Sequence, residues 1–172
     1  MNTKLTLIMI MLLGLLFTSC SKDEVQEVED AKIDLVNEEF PEAKQEVIDT
    51  FVGIAQSIKD GDIDKLISYH AYSPKFTEFK NGEPRNGAAA NEEHERNVFG
   101  SVTEVVKFDA LDLQVAVYGD VANVTFHSDF HLKFGDDLVI VNDQITLLFV
   151  RTNDGWKMVH EHHSNLNQEE NI

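Results

Sequence analysis

From Gly100 onward the sequence adopts a two-residue apolar period, and that periodicity limits the fold more than any other feature. Val102 to Tyr118 alternates, with a change of apolar parity between Ala110 and Leu111 of the kind a β-bulge requires. Gly119-Asp120 turns the chain. Ala122, Val124, Phe126, Ser128, Phe130, Leu132 and Phe134 then alternate against Asn123, Thr125, His127, Asp129, His131 and Lys133. Gly135-Asp136-Asp137 turns it again, and Leu138 to Thr152 forms a third run, apolar on both faces from Ile145 to Val150. Asp154-Gly155 opens a closing strand from Trp156. Four long strands joined by tight turns predict an antiparallel sheet.

The chain before Gly100 has the helical period. Val47, Phe51, Ile54, Ala55 and Ile58 make one stripe, with Pro41 placed for the start and Gly61 for a left-handed cap. Asp62 suits the cap of a second, shorter helix carrying Ile63, Leu66, Ile67 and His70 on one side, so His70 is expected to point inward. Lys75 to Lys80 reads as a short strand, with Asn81-Gly82 turning it back into Glu83-Pro84-Arg85. Ala88 to Phe99 is helix-compatible, with Asn91, His94 and Val98 on one side. Helices followed by strands predict an α+β domain, its curved antiparallel sheet wrapped around the N-terminal helices. The two-faced stretch Ile145–Val150 needs cover on its outer side, so a homodimer through the sheet is expected.

The N-terminus reads differently. Leu5 to Phe17 is apolar apart from Thr6 and Gly14, follows Lys4 and leads into Thr18-Ser19-Cys20. That is the pattern of an export signal, too short for a membrane-spanning helix. Phe17-Thr18-Ser19-Cys20 resembles the lipobox of bacterial lipoproteins, which implies acylation of Cys20, although leucine is the usual first residue of that box. Each buried methylene of an acyl chain contributes roughly 0.8 kcal/mol, so multiple acylation would hold the protein on a membrane. Ser21-Lys22-Asp23-Glu24 resembles the lysine-then-acidic tag of lipoproteins sent to the outer membrane or cell surface. The expected organisation is a signal peptide at 1–19, an acidic tether at 20–43, the folded domain at 44–167 and a tail at 168–172. The formal charge of −17 leaves little to neutralise phosphates, so no nucleic-acid partner is expected.

The closing strand carries the most distinctive residues. On strict alternation Trp156, Met158, His160, His162 and Ser164 share one face, and Lys157, Val159, Glu161 and His163 the other. His160 and His162 would then stand about 7 Å apart along the strand. This ending, Gly155-Trp156-Lys157-Met158-Val159-His160-Glu161-His162-His163-Ser164, together with Lys75-Phe76-Thr77-Glu78-Phe79 after the helices, resembles the SnoaL-like branch of the nuclear-transport-factor-2-like superfamily. The resemblance spans roughly Val47 to Asn165. It implies a cone whose sheet wraps the first helix and whose open end holds a pocket. Family members include isomerases, dehydratases and cyclases as well as members without chemistry, so the resemblance fixes where a site would be and not its activity.

Within such a cone the expected ligand-binding residues are Tyr69, His70, Tyr72, Phe76, His94, Phe126, Trp156, His160 and His162. The histidines could shuttle protons near neutral pH or simply be hydrogen-bonded interior residues. A metal set of His160, His162 and His70 or His94 with Glu78 matches no local metal-binding signature, so neither metal nor cofactor is expected. No Gly-x-Ser-x-Gly motif or glycine-rich phosphate loop occurs, and Cys20 lies outside the domain. Three readings follow. The first is a membrane-tethered module binding a small, partly apolar ligand without catalysis. The second is a lyase, isomerase or hydratase using His160 or His162 with His70 or Tyr69. The third is a dimeric assembly module with an inert core.

Overall fold

The computed structural model describes residues 33–167. The export signal, Cys20 and the tail 168–172 lie outside the described residues. Helix α1 spans Pro41–Asp60 and buries Val47, Phe51, Ile54 and Ile58, as its stripe predicts. Proline sits in its first turn, and Gly61 closes it at φ 67°, a left-handed conformation in which a side chain would be strained. Helix α2, Ile63–Ser68, is capped by Asp62, whose Oδ1 accepts from the Lys65 amide at 3.0 Å. Phe40, before α1, already packs on the core, so the packed domain begins inside the expected tether.

Strand β1 is Thr77–Lys80 and helix α3 is Ala88–Gly100. Then come β2 at Glu104–Tyr118, β3 at Val121–Phe134, β4 at Asp137–Val141, β5 at Asp143–Thr152 and β6 at Gly155–Asn165. The sheet order is β1-β6-β5-β3-β2, with β4 also paired to β3. The run expected as one strand from Leu138 to Thr152 is thus two, broken at Asn142. The return expected after Asn81-Gly82 shrinks to one bridge, Glu78 to Asn86. Strand β1 instead pairs with β6 in parallel, which makes an otherwise antiparallel sheet mixed.

The β2–β3 ladder slips between Val105 and Lys107 and again between Leu111 and Gln114. The second slip, with Asp112 at φ 52°, lies where the apolar parity changes. The inner face of β3 buries Ala122, Val124 and Phe126, and that of β5 buries Ile145, Leu147 and Phe149. Together with Met158 and the α1 stripe they form the core.

A further slip decides the geometry of the site. Phe149 pairs with Met158, but Leu148 pairs with His160, so Val159 is an extra residue in β6. At that point the segment after α2 docks on the strand. The Met158 amide donates to the Tyr69 carbonyl at 2.9 Å, and the Ala71 amide donates to the Met158 carbonyl at 2.8 Å. Beyond the bulge the alternation is inverted. Trp156 and Met158 are buried before it, and Glu161 is buried after it at 3% exposure. The expectation that His160 and His162 face inward is therefore corrected: Glu161 and His163 occupy the inner face.

Candidate functional site

Between the helices and the inner face of the sheet lie two cavities. The inner one, about 80 Å³, is apolar, walled by Phe51, Ala55, Phe126 and Leu147 and reached by His70. The wider outer one, about 560 Å³, is bordered by Lys80, His94, Phe130, Ile140 and Asp143. Glu95 and His163 line both. A polar cluster thus stands where an apolar pocket adjoins a wider, more polar one, an arrangement suited to a ligand with an apolar body and a polar head.

Glu161 is the centre of the cluster. Nε2 of His70 donates to its Oε1 at 2.9 Å, and Nε2 of His163 lies 3.2 Å from its Oε2. Nδ1 of His70 also donates, to the Leu66 carbonyl at 3.2 Å. Both partners of His70 are acceptors when Glu161 is ionised, so the His70–Glu161 contact is a buried hydrogen bond to a charged carboxylate. Burial opposes ionisation of Glu161, but the hydrogen bonds from His163 and His70 outweigh it and hold the carboxyl below its ordinary value.

Glu78 comes from β1. It is 1% exposed and lies opposite Glu161 in the β1–β6 ladder, while its Oε2 accepts from Asn86 Nδ2 at 3.1 Å. Glu95 comes from α3, is buried, and makes no hydrogen bond with another described residue. Burial, then the charges of Glu161 and Glu78, push its carboxyl well above its ordinary value. One cluster therefore holds a carboxyl pushed toward its ionised form and another pushed toward its acid form. Such a pair can accept and donate a proton at neighbouring points of one ligand.

The sequence-predicted residues divide into three groups. His70 and Phe126 line the inner cavity and His94 the outer one. Burial, followed by the Lys80 charge, lowers the pKa of His94, whose Nε2 accepts from Lys80 Nζ at 2.5 Å. Tyr72 and Phe76 stand behind the wall. Tyr72 stacks on His70 with ring centroids 4.9 Å apart and donates to Asn91 Oδ1 at 2.6 Å, and Phe76 packs edge-on against it. Burial, then the glutamate charges, raise the Tyr72 phenol above its ordinary value.

Tyr69, Trp156, His160 and His162 line neither cavity. Tyr69 reaches α1 instead, its hydroxyl so close to Gly53 that a Cβ there would lie 2.2 Å away. Trp156 is a core residue whose indole N–H donates to Glu46 at 3.0 Å under the Arg151 guanidinium, and not the pocket floor expected of it. His160 is tied to Thr77 by its Nδ1 at 2.8 Å, and His162 stands exposed beside Phe79. Glu78, Glu95, Glu161 and His163 are the residues that sequence reasoning did not place in the pocket.

Comparison with known proteins agrees with this fold. The model of the SnoaL-like domain family matches residues 47–168. A proposed dehydratase of the NTF2-like family from Streptomyces avermitilis superimposes with a TM-score of 0.64 at 23% identity, covering 73% of this chain and 96% of that one. An NTF2-like protein of unknown function from Pseudomonas putida gives 0.60 at 23% identity, covering 75% and 90%. A proposed aromatic ring hydroxylase from Novosphingobium aromaticivorans gives 0.64 at 20% identity, covering 76% and 94%. At these identities the likeness is one of fold, and no functionally curated protein matches the chain. With the element order, the inner pocket and a family match over most of its length, the chain belongs to the SnoaL-like domain family and has the α+β NTF2-like fold.

Proposed function

We propose that this protein binds a small, partly apolar ligand in the cone, its apolar part in the inner chamber and an oxygen-bearing head against Glu95 and His163. The observation that carries this reading is the polar cluster seated at the junction of the two cavities. A protonated Glu95 donates a hydrogen bond to a ligand oxygen, and the Phe51–Phe126 pair, centroids 5.1 Å apart, supplies aromatic contact below. The test is a thermal-shift screen with monocyclic and bicyclic aromatic alcohols and acids. At least one should raise Tm in proportion to the logarithm of its concentration, and Ala55→Leu, which fills the inner chamber, should remove the rise. No response from any compound at millimolar concentration sinks the reading.

A second reading, proton transfer of the lyase, isomerase or hydratase type, is favoured by the opposite pKa shifts of Glu95 and Glu161 on the two sides of one cluster. It differs from binding alone in requiring His163→Ala or Glu95→Gln to abolish turnover while a ligand still raises Tm.

The setting we propose is an exported, Cys20-acylated protein held on a bacterial membrane and paired with a second copy through the outer face of the sheet. No helix among the described residues is long and apolar enough to cross a membrane. The outer face of β5, β6 and β1 bears Leu148, Val150 and Phe79 without a single carboxylate, on a chain with a net charge of −17. That is a surface two strongly acidic molecules can share without like-charge repulsion. Sedimentation should give twice the chain mass for the wild type and one chain for Leu148→Glu; a monomeric wild type excludes the dimer. Fatty-acid labelling that persists in Cys20→Ala excludes the anchor.

A further inference from the structure

Glu78, Glu161 and His163 each offer one ligand atom, and the three atoms lie within 4.8 Å of one another. The ladder between β1 and β6 places them: Glu78 pairs with Glu161 and Lys80 with His163, so Glu161 and His163, two apart, share the inner face with Glu78. Two carboxylates and one neutral imidazole carry a charge of −2, which balances one divalent cation. The mixed oxygen and nitrogen donors suit a transition metal of the zinc or manganese type better than calcium or magnesium, which take oxygen alone.

Each carboxylate is already steadied from behind. His70 holds Oε1 of Glu161 and Asn86 holds Oε2 of Glu78, as outer partners of metal ligands do. Nε2 of His163 and Oε2 of Glu161 stand 3.2 Å apart. A cation about 2.0–2.2 Å from each would see them at roughly 95–105°, near the ligand angles of tetrahedral and octahedral sites.

Glu95 points to a ligand independently of this triad. It is 8% exposed, on a different element, and its oxygens, unbonded to any other described residue, touch cavity space rather than packed protein. It lines the outer cavity with Glu78 and His163 and the inner one with Glu161 and His163. A buried carboxyl without a partner costs free energy unless something occupies the space it faces.

We infer that Glu78, Glu161 and His163 form a binding site for one divalent transition-metal cation, with the Glu95 carboxyl beside it. The inference shares Glu95 and His163 with the aromatic-ligand reading, and the metal titration and the aromatic screen distinguish the failure of one from the failure of the other.

The test is calorimetric titration of the full chain in detergent, stripped with chelator, against zinc, manganese and magnesium chlorides. Zinc or manganese should bind with one saturable equivalent per chain and raise Tm, and magnesium should bind at least tenfold more weakly. His163→Ala should weaken binding by tenfold or more, and His162→Ala, on the outer face, should leave it unchanged. Should His163→Ala fail to fold, the near-isosteric Glu78→Gln carries the same expectation, with its metal-free Tm as the control. The inference is overturned if neither zinc nor manganese binds saturably. It is equally overturned if a folded His163→Ala or Glu78→Gln binds as the wild type does.

Discussion

Glu161→Ala is expected to cost about 3–5 kcal/mol of folding stability at neutral pH, because it leaves the buried His70 and His163 rings without the carboxylate they bond. Both side chains are almost wholly enclosed, His70 with 1% and Glu161 with 4% of the side chain exposed. Against a typical domain stability of about 5–15 kcal/mol, that loss places the variant near its unfolding threshold. Urea denaturation measures it directly. The double variant Glu161→Ala/His70→Ala should lose less than the sum of the two single losses, since removing both partners strands neither of them. Strict additivity would show that the two side chains do not interact. The pH dependence has a definite sign. The Glu161 carboxyl is held below its ordinary value of 4.5, so the folded state binds fewer protons than the unfolded state in the interval below that value. Its contribution is therefore complete above pH 4.5 and disappears as pH falls toward the folded pKa. Glu161→Gln should lack that acid-side loss.

How much of this cluster the sequence reveals depends on whether a hydrophobic pattern reports it. The α1 stripe, the Gly61 cap and the strict alternation of β3 all bury apolar side chains, and each is readable by period alone. The bulge in β2 is readable for the same reason: its slip moves apolar residues to the other parity. The bulge at Val159 has no such trace. Past it, the inner residues are Glu161 and His163 and the outer ones His160 and His162, all polar, so slipped and unslipped registers look alike in hydropathy. A one-residue slip exchanges the faces completely, and the histidine pair assigned to the pocket moves to the outside with it. The same blindness hides α3. Its buried residues are Asn91 and Glu95, four apart on one side of the helix, and a buried side made of polar residues resembles a solvated one. His70 was placed correctly because it continues an apolar stripe.

Fold and site are coupled through that bulge. The docking of Tyr69 and Ala71 on Met158 consumes the edge of β6 before the bulge, and β1 takes the edge after it. Glu78 is thereby carried to a position beside Glu161. Three carboxyl groups come together on elements far apart in sequence, although their mutual repulsion opposes folding. Only Glu161 has cationic partners close enough to offset burial. For Glu95 the Lys80 charge is outweighed by burial and by the other two acids.

Glu95→Gln should accordingly raise stability at neutral pH. Here the sign is opposite to that of Glu161. A carboxyl whose folded pKa lies above its ordinary 4.5 keeps its proton in the folded state after the unfolded state has lost it. Folding then requires proton uptake, and its contribution becomes progressively unfavourable as pH rises from 4.5 toward the folded pKa, staying constant above it. The amide removes the titration while keeping the shape, so the advantage of the variant should be small near pH 4, grow through that interval and then level off. Chemical denaturation of both proteins across this range measures the difference. A variant less stable than the wild type at neutral pH would mean that the Glu95 proton, or its negative charge, makes a contact the amide cannot replace. The same variant should bind the aromatic alcohol or acid of the screen more weakly than the wild type if the acid proton donates to the ligand oxygen, because the amide N–H is the poorer donor. A gain in stability accompanied by a loss in affinity is what a group retained for a ligand, at a cost to the fold, produces.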